Sequence, residues 1–141
     1  MRSILGRRRI AATTVLAATL LVAGCSTNPS SQDLCANAKN LTSAVEEMRA
    51  LKPDGSKLDA LSAKVDAALA KLDQFQAVTE GRYDSAVSTL RANLEGFRQT
   101  VAAAGNEAFA TVAPQLSASL KDISTAYAAL NESLATQCKA A

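Results

Sequence analysis

At 141 residues the chain has room for one domain, and 15 Lys and Arg against 13 Asp and Glu give a formal net charge of +2. It contains no His. That removes the commonest general base and metal ligand, and with it Ser–His and Cys–His nucleophiles and the Glu-x-x-His pattern of di-iron bundles.

The elements follow in chain order. Arg2, Arg7, Arg8 and Arg9 form a basic head, and an uncharged stretch rich in Ala, Leu and Val runs from Ile10 to Gly24. This is the layout of a secretory leader over residues 1–24. The apolar run is short for a membrane span, which needs about 20 residues. An uncleaved anchor helix is the alternative. Arg7-Arg8-Arg9-Ile10 leaves twin-arginine export open beside ordinary secretion. Once the leader is removed, 11 basic residues remain against 13 acidic ones, so the basic character belongs to the leader. The rest has no concentrated basic face for nucleic acid.

Leu21-Val22-Ala23-Gly24-Cys25 resembles the lipobox of bacterial lipoproteins: an aliphatic residue, two small residues, then Cys. The resemblance covers residues 1–25. It implies that the Cys25 thiol receives a diacylglycerol and that cleavage leaves Cys25 as the new N-terminus. Two or more acyl chains give stable anchoring where one gives marginal binding. The resemblance therefore implies a partner in the membrane itself, through an N-terminal lipid anchor. Ser26-Thr27-Asn28-Pro29-Ser30-Ser31 is polar and aperiodic, so residues 25–31 are expected to be a flexible tether.

Residues 32–141 are expected to form a helical bundle domain. Good helix formers dominate, and apolar residues alternate three and four apart in four segments. The first carries Leu34, Ala38, Leu41, Val45 and Met48, with Ser30 and Asp33 as a capping pair. Lys52-Pro53-Asp54-Gly55 ends it in a turn. The second carries Leu58, Leu61, Val65, Ala68, Leu72 and Phe75, with Ser56 and Asp59 as its capping pair. The third carries Tyr83, Val87, Leu90, Leu94, Phe97, Val101 and Ala104, and Gly105-Asn106 ends it. The fourth carries Leu116, Leu120, Ile123, Tyr127, Leu130 and Leu134, with Pro114 placed in its first turn and a short extra turn over 106–113.

The apolar positions 75, 79, 83 and 87 are four apart, a spacing that would also carry one long helix through Gly81. The cysteines bear on the choice. With Cys25 acylated, Cys35 and Cys138 remain, in a compartment that permits disulfides. An even number of antiparallel helices returns the chain to its starting end and makes these two neighbours. A long middle helix would separate them and leave two unpaired thiols. We therefore expect a break at Thr79–Gly81, an antiparallel up-down four-helix bundle of the all-α class, and a Cys35–Cys138 disulfide. In the chain-entropy model a loop of about 100 residues closed this way contributes roughly 4–5 kcal/mol.

No residue pattern points to catalysis, a metal or a cofactor. The six glycines are dispersed, so there is no phosphate loop. Glu46 and Glu47 are adjacent on a helix and diverge, and Ser62 and Lys64 point different ways. Asp59, Asp66 and Asp73 recur every seven residues beside Lys57, Lys64 and Lys71. Such a stripe reads as a solvated helix face, with partner docking as the alternative. Tyr83, Tyr127, Phe75 and Phe97 fall on the apolar stripes and are expected in the core, whereas Phe109 lies in the irregular stretch.

The part after the leader resembles small lipid-anchored helical proteins of actinobacteria, with one Cys near the start of the first helix and another close to the C-terminus. That resemblance implies the fold and no particular activity. The expected function is that of a lipid-anchored, non-enzymatic cell-envelope protein on the extracytoplasmic face of the cell membrane. It would act by protein–protein contact with an envelope partner or as a structural element. The alternative is a carrier or sensor holding a small apolar ligand between its helices.

Overall fold

The computed structural model describes residues 31–105 and 108–138. The leader, Cys25, the tether up to Ser30, Asn106 and Lys139 lie outside the described residues.

Four α-helices carry the 3-4 apolar repeat: α1 (Ser31–Ala50), α2 (Leu58–Thr79), α3 (Asp84–Ala104) and α4 (Phe109–Leu134). A single 3₁₀ turn, Gly55–Lys57, leads into α2. Short turns make sequential helices antiparallel neighbours, and the backbones approach closely along α1–α2, α2–α3 and α3–α4. The fold is the expected all-α up-down bundle. Its α1–α2 and α3–α4 turns lie at one end; the α2–α3 turn and both chain termini of the bundle lie at the other.

The stripes meet in one continuous core. Leu34, Leu41, Val45 and Met48 of α1 join Leu61, Val65, Leu72 and Phe75 of α2. Val87, Leu90, Leu94 and Phe97 of α3 and Leu116, Ile123, Leu130 and Leu134 of α4 complete it. Burying each large side chain stabilises by about 1.5–3 kcal/mol. Leu69, Val112 and Ala126 are also buried, although they stand outside the repeat. Leu58, Leu120, Tyr83 and Tyr127 are only half-buried at its margin.

Three local expectations need correction. The cap at the start of the second helix is Asp54, not Ser56. Asp54 Oδ1 accepts from the Ser56 backbone N–H at 3.0 Å and from its hydroxyl at 3.1 Å. The Pro53-Asp54 turn feeds first into the 3₁₀ turn, so the orphaned amides come two residues after Asp54. α2 itself begins at Leu58, behind Lys57, which makes no side-chain cap bond. Secondly, Pro114 does not sit in the first turn of the last helix. α4 starts at Phe109 and includes it, so residues 109–113 are no separate turn. Pro114 and Ala110, whose carbonyl loses its helical donor, are both exposed. Water can satisfy that carbonyl, and the packed face stays unbroken. Thirdly, Phe109 is half-buried against the core. Its Cγ lies 3.3 Å from where a Cβ on Gly55 would stand, so the start of α4 folds over the α1–α2 turn.

The break between α2 and α3 falls at the expected place. Glu80 takes a left-handed conformation (φ 50°) at the end of α2, and Gly81 follows at φ 81°. The Arg82 N–H then donates to the Thr79 carbonyl at 3.1 Å. Thr79 is buried, and its hydroxyl donates to the Gln76 carbonyl at 2.9 Å. A single helix through Gly81 is thereby excluded.

Cys35 and Cys138 form a disulfide with Cα atoms 5.5 Å apart, well inside bridging range. Cys35 stands in the first turns of α1. Cys138 follows α4 through a turn in which its own N–H donates to the Leu134 carbonyl at 2.8 Å.

Gly81→Ala should destabilise the protein by about 1–2 kcal/mol, since an L side chain resists positive φ. Urea unfolding should show a lower midpoint with an unchanged slope.

Candidate functional site

The charged stripe of Asp59, Asp66, Asp73, Lys57, Lys64 and Lys71 runs into and along α2. Its members do not project together. Lys64 donates to Glu47 of α1. Asp73 accepts from Arg91 of α3, which also donates to Gln76 at 2.8 Å, and Asp66 pairs with Arg98 at 3.7 Å. Lys71 donates to Gln74 on its own helix at 3.2 Å. The stripe is therefore drawn largely into ties from α2 to its two neighbours. Such exposed pairs contribute about 0–1 kcal/mol each. Glu46 is exposed and diverges from Glu47, and Lys64 is taken by Glu47, not by Ser62.

A cleft of about 100 Å³ lies between α3 and α4. Ala92, Asn93, Gly96, Ser119 and Asp122 line it, and buried Phe97 lies beneath. Asn93 Nδ2 donates across it to the Asp122 carbonyl at 3.4 Å. Ligand pockets run to about 300–1,000 Å³ and are mostly apolar, so this dent is too small and too polar for an apolar ligand. Gly96 is exposed in mid-helix, and a Cβ there would meet nothing within 4 Å.

Among the described residues the interior offers no ligand-directed polar group. Thr79 is the only buried polar residue among the described residues, and none of their buried side-chain N or O atoms lacks a partner. The described residues contain no cluster of three or more metal-ligating side chains. None of their helices is long and apolar enough to cross a membrane.

Besides the ion pairs, a hydroxyl pair between elements was not legible in the sequence. The Tyr127 hydroxyl of α4 hydrogen-bonds the Thr42 hydroxyl of α1, and Thr42 in turn donates to the Ala38 carbonyl at 2.9 Å. Tyr127 sits on its apolar stripe as expected, but at the edge, with its polar tip turned to the neighbouring helix. The available signal was a Tyr at a stripe position with a hydroxyl to satisfy. Its partner depends on how α1 and α4 are set side by side.

The sequence matches no family model, no curated protein and no solved structure. The candidate features are thus the disulfide-closed bundle, its α1–α4 edge and, outside the described residues, Cys25.

Two outcomes follow from these surfaces. Gly96→Ala should stabilise the protein by about 0.4–1 kcal/mol, because the helical φ is unstrained and the space is open; differential scanning calorimetry will show a raised melting temperature. Asp54 is held below its ordinary value of 3.8, first by the Ser56 backbone N–H, then by the Ser56 hydroxyl, with nearby Lys57 adding to this. A lowered folded-state value means that the cap's contribution is complete above the unfolded aspartate value, about 3.9, and is lost as pH falls through the lower folded one. Carboxyl NMR titration should find Asp54 titrating low, and Ser56→Ala should raise it.

Proposed function

We propose that this protein is a lipid-anchored component of the cell envelope, held on the extracytoplasmic face through acylated Cys25, and that it works by contact with another envelope protein or as a structural element. The anchor rests on the basic head, the apolar run and Leu21-Val22-Ala23-Gly24-Cys25. The contact role rests on one observation above all. The apolar side chains of all four helices join in a single continuous core of aliphatic and aromatic groups. A carrier of apolar ligands calls for a cavity lined by Leu, Phe and Tyr. The cleft between α3 and α4 is instead lined by small and polar groups.

The anchor also orients the bundle. Five residues lie between Cys25 and Ser31, six Cα–Cα steps with an extended reach of about 20 Å. The disulfide end then faces the membrane. The end built from the α1–α2 turn and Phe109 points outward, about 30 Å away along the 20 residues of α1. Crosslinking in intact cells, followed by mass spectrometry of the captured proteins, tests the contact role. A reproducible envelope partner is expected, and a purely solitary protein would overturn it.

Cys25→Ser should release the protein from the membrane fraction or leave its leader uncleaved. A variant that fractionates and migrates like wild type would remove the anchor.

A further inference from the structure

An up-down bundle of four helices has four seams between neighbours, and the chain links only three of them. Along α1–α2, α2–α3 and α3–α4 the backbones approach closely, and a short turn closes each pair. The α1–α4 seam has no turn and almost no close backbone approach.

Among the described residues, a disulfide and a side-chain hydrogen bond span this seam, and their register shows that they belong to one line. Cys35 and Thr42 are seven residues apart, two helical turns, and so lie on the same face of α1. Leu120, Tyr127 and Leu134 repeat at the same interval along α4, with Cys138 just beyond. Antiparallel alignment sets Cys138 opposite Cys35, Tyr127 opposite Thr42 and Leu120 opposite the last turn of α1. The first pair is a covalent bond and the second a single hydrogen bond. At the third level Leu120 is half-buried. The ion pairs Lys64–Glu47, Asp73–Arg91 and Asp66–Arg98 all run from α2 to α1 or to α3. The two α2–α3 pairs strengthen the seam opposite, and Lys64–Glu47 strengthens the α1–α2 hairpin beside it.

We propose that the α1–α4 seam is a thiol-controlled opening edge. While the disulfide stands, the bundle is closed. When it is reduced, the α1/α2 and α3/α4 hairpins part along this edge, hinged on the α2–α3 interface, and α1 and α4, each left with one packed neighbour, fray because helices draw most of their stability from tertiary packing. Opening uncovers the apolar faces of α1 and α4, among them Leu34, Leu41, Ile123 and Leu130. Both cysteines are only half-buried, so an attacking thiolate can reach the bond. A dithiol reductant supplies the electrons. Its thiolate displaces one protein sulfur to form a mixed disulfide, and its second thiol displaces the other. The reductant leaves as a disulfide, and Cys35 and Cys138 remain as two thiols.

The test is amide hydrogen exchange, followed peptide by peptide, on the oxidised protein and on the protein in excess dithiothreitol, well below its melting temperature. Exchange in α1 and α4 should accelerate at least about tenfold more than in α2 and α3, the pattern of a sub-global opening. Equal acceleration in all four helices, or none, would overturn the proposal. Val87→Ala in the oxidised protein is the control, because a core truncation on α3 lowers stability without touching the edge. Should the reduced protein unfold outright, oxidised Tyr127→Phe decides the matter. Faster exchange confined to the middle of α1 and α4 supports the opening edge, and uniform or unchanged exchange removes it.

Discussion

Four sequential antiparallel helices leave one pair of neighbours unlinked by the chain, and the Cys35–Cys138 bond supplies the missing link. It ties residues 103 apart. The entropy it removes from the unfolded chain amounts to about 4.7 kcal/mol in the chain-entropy model, comparable with the whole stability of a marginal small domain. The other ties around the bundle are weaker one by one. The exposed ion pairs contribute tenths of a kcal/mol, and the Tyr127–Thr42 bond about one.

The core explains why such a clasp matters. Large side chains of all four helices fill it continuously, yet Ala68, Ala104 and Ala126 occupy buried positions where larger groups would bury more area. Small residues let helices approach at the expense of hydrophobic stabilisation per residue. A slender bundle of this kind gains from constraints outside its core. Phe109 over Gly55 closes one end, and the disulfide closes the other.

The distribution of polar contacts follows the same logic. α2 carries the alternating charges, and it has a close backbone neighbour on each side. Its Lys and Asp side chains are long enough to reach α1 on one side and α3 on the other. α4, by contrast, has Lys121, Asp122 and Glu132 as its only charged residues. Beyond the shared core, a hydroxyl pair ties it to α1, and a covalent bond joins α1 to the chain just after it. The bundle is thus stiff around α2 and dependent on Cys35 and Cys138 at its opposite edge.

Much of this architecture was legible in the sequence because it is encoded locally. The 3-4 repeat places Leu41, Val65, Leu94 and Leu130 on inward faces whatever the partner helix. Pro53-Asp54-Gly55 makes a turn, and Gly81 permits a positive φ, within a few residues. The break at Thr79–Gly81 and the pairing of Cys35 with Cys138 supported each other, because an even number of antiparallel helices brings the two cysteines to one end. What the repeat does not encode is the rotation of each helix about its axis, or where neighbours cross. Those decide that Leu69 and Val112 are buried while Leu120 is half-exposed, and that Asp66 and Asp73 reach arginines of α3. They also set Tyr127 against Thr42. The start of α4 at Phe109 depends likewise on a distant contact, with Gly55, that lets the helix run outward past Pro114. Short-range propensity and periodicity thus determined the helices, their order and their inward faces. The tertiary structure alone decided the flanks, because a flank residue meets whatever the packing of another, distant segment brings to it.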